Sequence, residues 1–380
     1  MLFLIILISS VGWLYITCRL LNRLAALSDR LISLTFFGGI FLLLTPVLFA
    51  YWYFNFNQFV TGLFSFDIFA AANQNFWQLL LILIGFLAFF SEIIRRKIRH
   101  KKIKSSINVF CRLQSTKNVD CPLISSKKSF WNIVYKVFSA IPGNKIDKFK
   151  ILNYKIDLQE KINLKIAHLT DIHFVNRVSK KYYEKIVSVV NEQEPDVVLF
   201  TGDFLQSADS LENFKSVFSK LKAKKGIYFI CGNHDIWHDE KPTVKMLEQL
   251  GFIHIAGEIK ELNNNLFLAG TEQPWKKDDI EKKISNLPDG ARVVLLSHSP
   301  DNARKLYSQK IKLILSGHTH GGQNALPLLG PLILPSKYGT LYEAGFTRYG
   351  NVIIFVSRGL AVHHPLRFNC FLEIVFMVLD

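Results

Sequence analysis

The chain has 380 residues, 49% of them hydrophobic and 20% charged, with a formal net charge of +16. That length accommodates two or three domains of ordinary size, and the balance of apolar to charged residues excludes a disordered chain. Five scattered cysteines with no CxxC and no Cys/His spacing exclude a disulfide framework or a zinc finger and fit a reducing compartment.

The charge is uneven along the chain. Residues 1–94 are net neutral, residues 95–155 carry almost the whole basic excess, and the remainder is close to balanced. Residues 1–18, 31–66 and 68–91 contain no Asp, Glu, Lys, Arg or His. Crossing about 30 Å of hydrocarbon takes ~20 apolar helical residues, so helices are expected near 2–20, 31–54 and 76–94. Arg19, Arg23 and Arg30 lie in the first loop, and Arg95, Arg96, Lys97 and Arg99 follow the third run. The excess of Lys and Arg on the inner side of membranes then predicts a multi-pass inner-membrane protein with everything after residue 95 in the cytoplasm. The organisation expected is a transmembrane region over 1–94, a basic juxtamembrane linker over 95–147, and a folded domain over 148–380. Within the linker, residues 129–141 place Phe130, Trp131, Ile133, Val134 and Val137 beside Lys127, Lys128 and Lys136. That mixture fits an interfacial amphipathic helix and fits an ordinary packed helix equally.

After residue 148 the pattern becomes strand, helix, strand. Strands are expected at 165–170, 196–200, 227–230, 293–296 and 313–315, with two shorter ones around 263–265. Helices are expected near 179–193, near 210–223 and from Pro242 to Gly251. Alternation of this kind predicts an α/β domain. Each of the five apolar strands runs into polar residues of metal-ligand type. The first leads to Asp171-Ile172-His173, the second to Gly202-Asp203, and the third to Gly232-Asn233-His234-Asp235. The fourth leads to His298 and the fifth to Gly317-His318-Thr319-His320. Ligands of open α/β sheets bind beyond the carboxyl ends of the strands, so these residues are expected to share one cleft.

The set mixes imidazoles, carboxylates and one amide, and contains no thiolate. That composition suits Mn, Fe, Zn or Mg and not a structural thiolate site. There are more donors than one tetrahedral ion needs, and two ions sharing a carboxylate would use them. Such a pair activates water near neutral pH and clamps the oxygens of an in-line displacement, which is phosphoester hydrolysis chemistry. His168, inside a strand, is read as a hydrogen-bonded structural residue. His100, His238 and His254 show no partner pattern and are read as structural or exposed. His363 and His364 precede Pro365 in a late loop that could line the cleft.

These motifs, in this order over residues 160–380, resemble the calcineurin-like metallophosphoesterases. The segments Ser297-His298-Ser299-Pro300-Asp301, Gly317-His318-Thr319-His320-Gly321-Gly322-Gln323 and Ser357-Arg358-Gly359-Leu360 are similar to the membrane-associated branch. That branch includes UDP-2,3-diacylglucosamine pyrophosphatases of lipid A biosynthesis. The resemblance implies a four-layer αββα sandwich of two mixed sheets. It implies that Asp171, His173 and His320 hold one metal, that Asn233, His298 and His318 hold a second, and that Asp203 bridges them. It gives His234 a catalytic role at the phosphoryl or leaving oxygen, with Asp235 orienting its ring. Gln206, Ala361 and Phe371-Leu372 depart from the family pattern at positions that bear on the substrate pocket.

The function expected is a membrane-anchored, dinuclear, metal-dependent hydrolase of a phosphodiester or pyrophosphate bond, with manganese first among the metals. Its expected partners are the membrane and a phospholipid or nucleotide-linked lipid substrate. No nucleic acid is expected, because the folded domain lacks a basic stripe. The alternatives are a tethered phosphodiesterase for a soluble substrate and a non-catalytic metal-binding membrane scaffold.

Overall fold

The computed structural model describes residues 2–25, 68–108, 110–124, 129–158, 162–263, 265–331 and 333–380. The chain forms two compact units, one of residues 1–102 with 326–339, the other of 103–325 with 340–380.

The first unit contains α1 (Leu2–Ala25) and most of α2 (Ile68–Ile107). The two helices meet through small and polar residues. Gly12 and Gly85 approach so closely that a Cβ on Gly12 would sit 1.8 Å from the Gly85 carbonyl oxygen. The Ser9 hydroxyl donates to the Ile82 carbonyl at 2.9 Å, and the Arg95 guanidinium donates to the Tyr15 hydroxyl at 2.6 Å.

Among the described residues no helix is long and apolar enough to cross a membrane. The expected three-helix transmembrane region is therefore corrected, and the multi-pass inner-membrane placement with it. The reason is visible in α2, where the uninterrupted apolar stretch runs only from Leu79 to Phe90, between Gln78 and Ser91-Glu92. Twelve helical residues rise about 18 Å, short of the ~30 Å of a bilayer core. The helix expected at 31–54 lies outside the described residues.

The second unit is built on two mixed sheets. Its strands are β1 (Cys111–Asp120), β2 (Lys148–Ile156), β3 (Leu164–Leu169), β4 (Val197–Phe200), β5 (Gly226–Phe229), β6 (Ile253–His254), β7 (Ile259–Asn263), β8 (Leu266–Thr271), β9 (Arg292–Ser297), β10 (Ile311–Ser316), β11 (Gly345–Tyr349), β12 (Val352–Val356) and β13 (Leu372–Leu379). The first sheet has the order β1-β2-β13-β3-β4-β5-β6 and the second β11-β12-β10-β9-β8-β7. The central neighbours β3, β4, β5 and β6 run parallel, as do β8, β9, β10 and β12.

Side chains alternate between the two faces of each strand, and both faces here are buried. Leu164, Ile166, Val197 and Leu199 of the first sheet pack against Leu266, Leu268, Val294, Leu296, Leu313 and Leu315 of the second, forming the core between the sheets. Ala167, Leu169, Val198 and Phe200 point the other way. They meet α4 (Lys180–Glu192), through Tyr182, Tyr183, Ile186 and Val190, and α5 (Leu211–Phe218), through Phe214 and Phe218. Helix α3 (Phe130–Ser139) joins this layer through Tyr135. Strands buried on both faces read as continuous apolar runs, which is why the central strands were visible in the sequence. β1 is exposed over most of its length, and its backbone pairs antiparallel with β2 from Cys111–Ile156 to Asp120–Lys148.

Candidate metal centre

The parallel strands of both sheets deliver their carboxyl ends to one place. Asp171 and His173 follow β3, Asp203 follows β4, and Asn233, His234 and Asp235 open the short helix α6 (Asn233–Trp237) after β5. From the second sheet, His298 follows β9, and His318 and His320 follow β10. Asp171, His173, Asp203, Asn233 and His298 are each at most 1% exposed.

The turns that carry them are strained. Asp171, His173, Asp203, His318 and His320 all have positive φ, between 41° and 66°. Non-glycine residues seldom adopt that region, and such strain persists only where the surroundings hold it. Backbone hydrogen bonds do part of the holding. Asp171 N–H donates to Gly202 O at 3.0 Å, His173 N–H to Asp203 O at 3.0 Å, and Gly317 N–H to His298 O at 3.1 Å. Glycines let the carboxylates come close to neighbouring backbone. A Cβ at Gly232 would lie 2.2 Å from Asp203 Oδ1, and one at Gly317 would lie 2.2 Å from Asp171 Oδ2.

Asp203 is the centre of the arrangement. Its Oδ2 lies 3.2 Å from His173 Nε2 and 3.2 Å from His298 Nε2, and its Oδ1 accepts the His234 backbone N–H at 2.9 Å. The other nitrogens of both rings face carbonyl oxygens. His173 Nδ1 is 2.9 Å from Gln206 Oε1, and His298 Nδ1 contacts the Thr201 carbonyl. A carbonyl only accepts, so both rings donate through Nδ1. In the neutral ring Nε2 is then a bare lone pair, and it faces a carboxylate oxygen. Asn233 Oδ1, a third acceptor, lies 3.1 Å from His298 Nε2. Acceptors at this separation repel unless a proton or a cation lies among them.

The second carboxylate is arranged similarly. Asp171 Oδ1 lies 3.3 Å from His320 Nε2 and 4.0 Å from His173 Nε2. Its oxygens accept from the Thr170 hydroxyl and the His318 N–H. Ligating atoms of Asp171, His173, Asp203 and His320 all fall within 4.8 Å of one another. The His318 ring packs 5.1 Å from that of His298 and 5.1 Å from Trp275.

Burial and charge set the protonation of these groups. Burial works to raise the Asp203 carboxyl, but the His298 and His173 charges outweigh it and hold Asp203 well below the usual range. Burial alone would depress His298; the Asp203 and Asp171 carboxylates instead push it up to about 9. Burial raises Asp171, and the Asp203 charge beside it adds to that. Burial pushes His234 down to about 4, with Asp203 opposing.

Asp235 is not placed to orient the His234 ring. Its carboxylate accepts backbone N–H groups from Asp203 at 2.7 Å, Gly232 at 2.9 Å and Phe204 at 3.0 Å. It therefore ties the turn after β4 to the turn after β5. The His234 ring packs 4.5 Å from the His173 ring, and its buried Nδ1 has no hydrogen-bond partner. His168 is hydrogen-bonded to the Thr201 hydroxyl at 2.9 Å inside the core.

Several supporting residues lie outside the proposed ligand set. Gln206 fixes the His173 tautomer, as above. The His363 ring lies 4.6 Å from that of His173. Arg367, fully buried, donates to the carbonyls of Arg358 at 2.7 Å, Ala361 at 3.2 Å and His320 at 3.2 Å. Arg358 pairs with Glu373 of β13 at 2.9 Å. Asn144 accepts the Arg367 N–H at 2.8 Å, and Tyr135 donates to Val362 O at 2.8 Å. The segment before β2 thus braces the late loops of the cleft. Gln206, His363 and Arg358 were already singled out in the sequence, and a glutamate inside the apolar run of β13 was a further signal; Arg367 and Asn144 carried none.

Residues 164–322 match the pattern of the calcineurin-like phosphoesterases. The uncharacterized metallophosphoesterase YkuE of Bacillus subtilis (strain 168) is 33% identical over 225 residues, spanning 57% of this chain and 78% of YkuE. The chain belongs to the calcineurin-like metallophosphoesterase family. The phosphodiesterase YaeI of Escherichia coli (strain K12) is 30% identical over 225 residues, covering 57% of this chain and 82% of YaeI. An uncharacterized metallophosphoesterase of Helicobacter pylori (strain ATCC 700392 / 26695) is 30% identical over 258 residues, covering 65% of this chain and 66% of its own. This metallophosphoesterase is a metal-dependent phosphoester hydrolase. Calcineurin-like phosphoesterases bind divalent metals, and its Asp and His cluster fits them in donor type and spacing.

Proposed function

We propose that the protein hydrolyses a phosphodiester or pyrophosphate bond with two divalent cations, manganese being the first to test. The observation that carries this reading is the single Asp203 oxygen set 3.2 Å from two imidazole nitrogens, one from each sheet, whose opposite ring nitrogens both face carbonyl oxygens. A carboxylate so placed can bridge two cations. Asp171, His173 and His320 would hold one, and Asn233, His298 and His318 the other. Bound there, the cations would supply Lewis-acid polarisation of the phosphoryl group and a lowered pKa for water.

The remaining work falls to the chain. His234 is no ligand in this reading. Its ring, kept neutral by burial, offers an N–H to the phosphoryl or leaving oxygen, where negative charge develops. Asp235 acts one step back, by locking together the two turns that carry Asp203 and His234. Gln206 and the Thr201 carbonyl direct the Nε2 lone pairs of His173 and His298 inward.

The lipid-linked substrate expected from the sequence rested on the transmembrane region together with the resemblance to the membrane-associated branch, and the correction of that region removes the first of these. UDP-2,3-diacylglucosamine therefore enters only as one test substrate beside a generic diester. The test uses purified full-length protein with added manganese and bis(4-nitrophenyl) phosphate. Hydrolysis should be lost on Asp203→Ala in protein that stays folded. Full activity in that variant would overturn the reading. Release of UMP from UDP-2,3-diacylglucosamine, measured in parallel, separates pyrophosphate from diester specificity.

A further inference from the structure

A second group of ligating side chains converges beside the cleft without sharing any donor with it. Cys231 lies between β5 and the Gly232 turn, His254 ends β6, and Glu272 follows β8. One ligating atom from each falls within 4.8 Å of the other two. Cys231 and Glu272 are buried, and the His254 side chain keeps 23% exposure, so the group has a side open to solvent.

Glu272 is the focus. Its Oε1 accepts the Cys231 backbone N–H at 2.8 Å and lies 2.8 Å from His254 Nε2. Lys276 faces the other oxygen, Oε2, at 3.4 Å, which leaves Oε1 to the Cys–His side. The His254 ring is stacked on Phe229, with centroids 4.8 Å apart and planes inclined by 16°, which fixes the direction of its nitrogen.

We propose that Cys231, His254 and Glu272 form a separate site for one zinc ion. A thiolate and a carboxylate together neutralise a divalent cation, so the ion and its ligands can be buried without a net charge. One sulfur, one nitrogen and one oxygen donor suit zinc, which takes all three types at about 2.0–2.3 Å. The same set disfavours magnesium and manganese, which prefer oxygen-rich surroundings. On binding, the Cys231 thiol releases its proton to solvent and the His254 ring presents the Nε2 lone pair in place of N–H. The fourth position opens on the exposed side of His254. Because Cys231 directly precedes the turn bearing Asn233 and His234, the ion would hold that turn from behind; its role is structural and not hydrolytic.

The sulfur donor makes the site separately readable, since none of the proposed cleft ligands is a cysteine. Full-length reduced protein, stripped with chelator, is titrated with cobalt(II) and then zinc. The expected result is a sulfur-to-cobalt charge-transfer band in the near ultraviolet that saturates at one equivalent and is displaced by zinc. Cys231→Ala should abolish the band, and His254→Asn should weaken the cobalt affinity at least tenfold. Asp203→Ala should leave the band intact, so that failure of the cleft reading and failure of this one are distinguishable. No band in folded wild-type protein, or a band that survives Cys231→Ala, overturns the proposal. If Cys231→Ala does not fold, His254→Asn decides, and unchanged cobalt affinity in that variant also overturns it.

Discussion

Arg367 offers the sharpest test of how the cleft is held. Its guanidinium is fully buried, and among the described residues no carboxylate pairs with it; its partners are backbone carbonyls and, at 3.5 Å, the Cys370 sulfur. Three of them, on Arg358, Ala361 and His320, accept at 2.7–3.2 Å, while the Cys370 carbonyl at 3.4 Å is long enough to contribute little. Arg367→Met keeps much of the apolar volume and strands the Arg358 and Ala361 carbonyls, while the His320 carbonyl loses one donor and keeps the Gln323 N–H and the Cys370 thiol. An unsatisfied buried acceptor costs about 1–3 kcal/mol, but loops can relax and relief of the buried charge offsets part of the loss. A net destabilisation of about 2–4 kcal/mol follows. Arg367→Lys keeps the charge and reaches fewer carbonyls, so it should fall between. Urea unfolding of full-length protein reads the stability, and manganese titration followed by electron paramagnetic resonance reads the cleft. Because one released carbonyl belongs to His320, manganese affinity should drop in Arg367→Met under conditions where the protein is still folded. A variant with wild-type midpoint and wild-type manganese affinity would refute the argument.

Gly317→Ala should push a methyl group against Asp171 Oδ2 and Thr170 Oγ1, each 2.2 Å from the new Cβ; overpacking of this kind costs about 1–3 kcal/mol, and the check is metal content alongside turnover, both of which should fall. Asp235→Asn loses a carboxylate that accepts three backbone N–H groups. It should lower stability by about 1–3 kcal/mol, seen as a shifted urea midpoint with an unchanged slope. Tyr135→Phe removes the hydroxyl that donates to Val362 O at 2.8 Å; about 1 kcal/mol is expected, and an unchanged midpoint would show that α3 does not brace the late loop. Chelation with EDTA should abolish hydrolysis in the wild type and manganese should restore it, whereas Asp203→Ala should remain inactive after the same treatment.

The parts of the fold that showed in the sequence are those whose burial writes a simple pattern. β3, β4, β9 and β10 are covered on both faces, so their apolar runs stand out, and the polar residues that interrupt each run mark the strand tips. β1 shows the opposite. Its residues are exposed along most of its length and it is held by backbone pairing to β2, which leaves no trace in side-chain hydropathy. The transmembrane expectation failed because absence of charge was read as apolarity. Gln78 and Ser91 are uncharged, yet with Glu92 they leave only Leu79 to Phe90 uninterrupted within the helix expected at 76–94. Asp235 was legible as part of the cleft, but its role was not, since a carboxylate bound to three backbone N–H groups looks in sequence like any other motif carboxylate. His254 showed no partner because its neighbours Cys231 and Glu272 lie 18 or more residues away, just past the ends of other strands.

The deeper constraint is that the chemistry sits on strained turns. Five of the seven proposed metal ligands, or their bridging carboxylate, have left-handed backbone conformations, a region that Asp and His enter more often than most residues but still at a cost. They must be held from elsewhere, and the holders come from chain segments distant in sequence. Asp235 clamps the turn of Asp203, and Gly359 admits Asp171, where a Cβ would lie 2.6 Å from the Asp171 Cβ. Arg367 and the Cys370 thiol both bind the His320 carbonyl, and Asn144 binds Arg367 in turn. The motif residues up to His320 are therefore necessary but cannot assemble the cleft alone. Removing residues 357–380 would release Gly359, Arg367 and Cys370 together and strip β13 from between β2 and β3, so the family motifs would survive in the sequence while the geometry around Asp171 and His320 was lost.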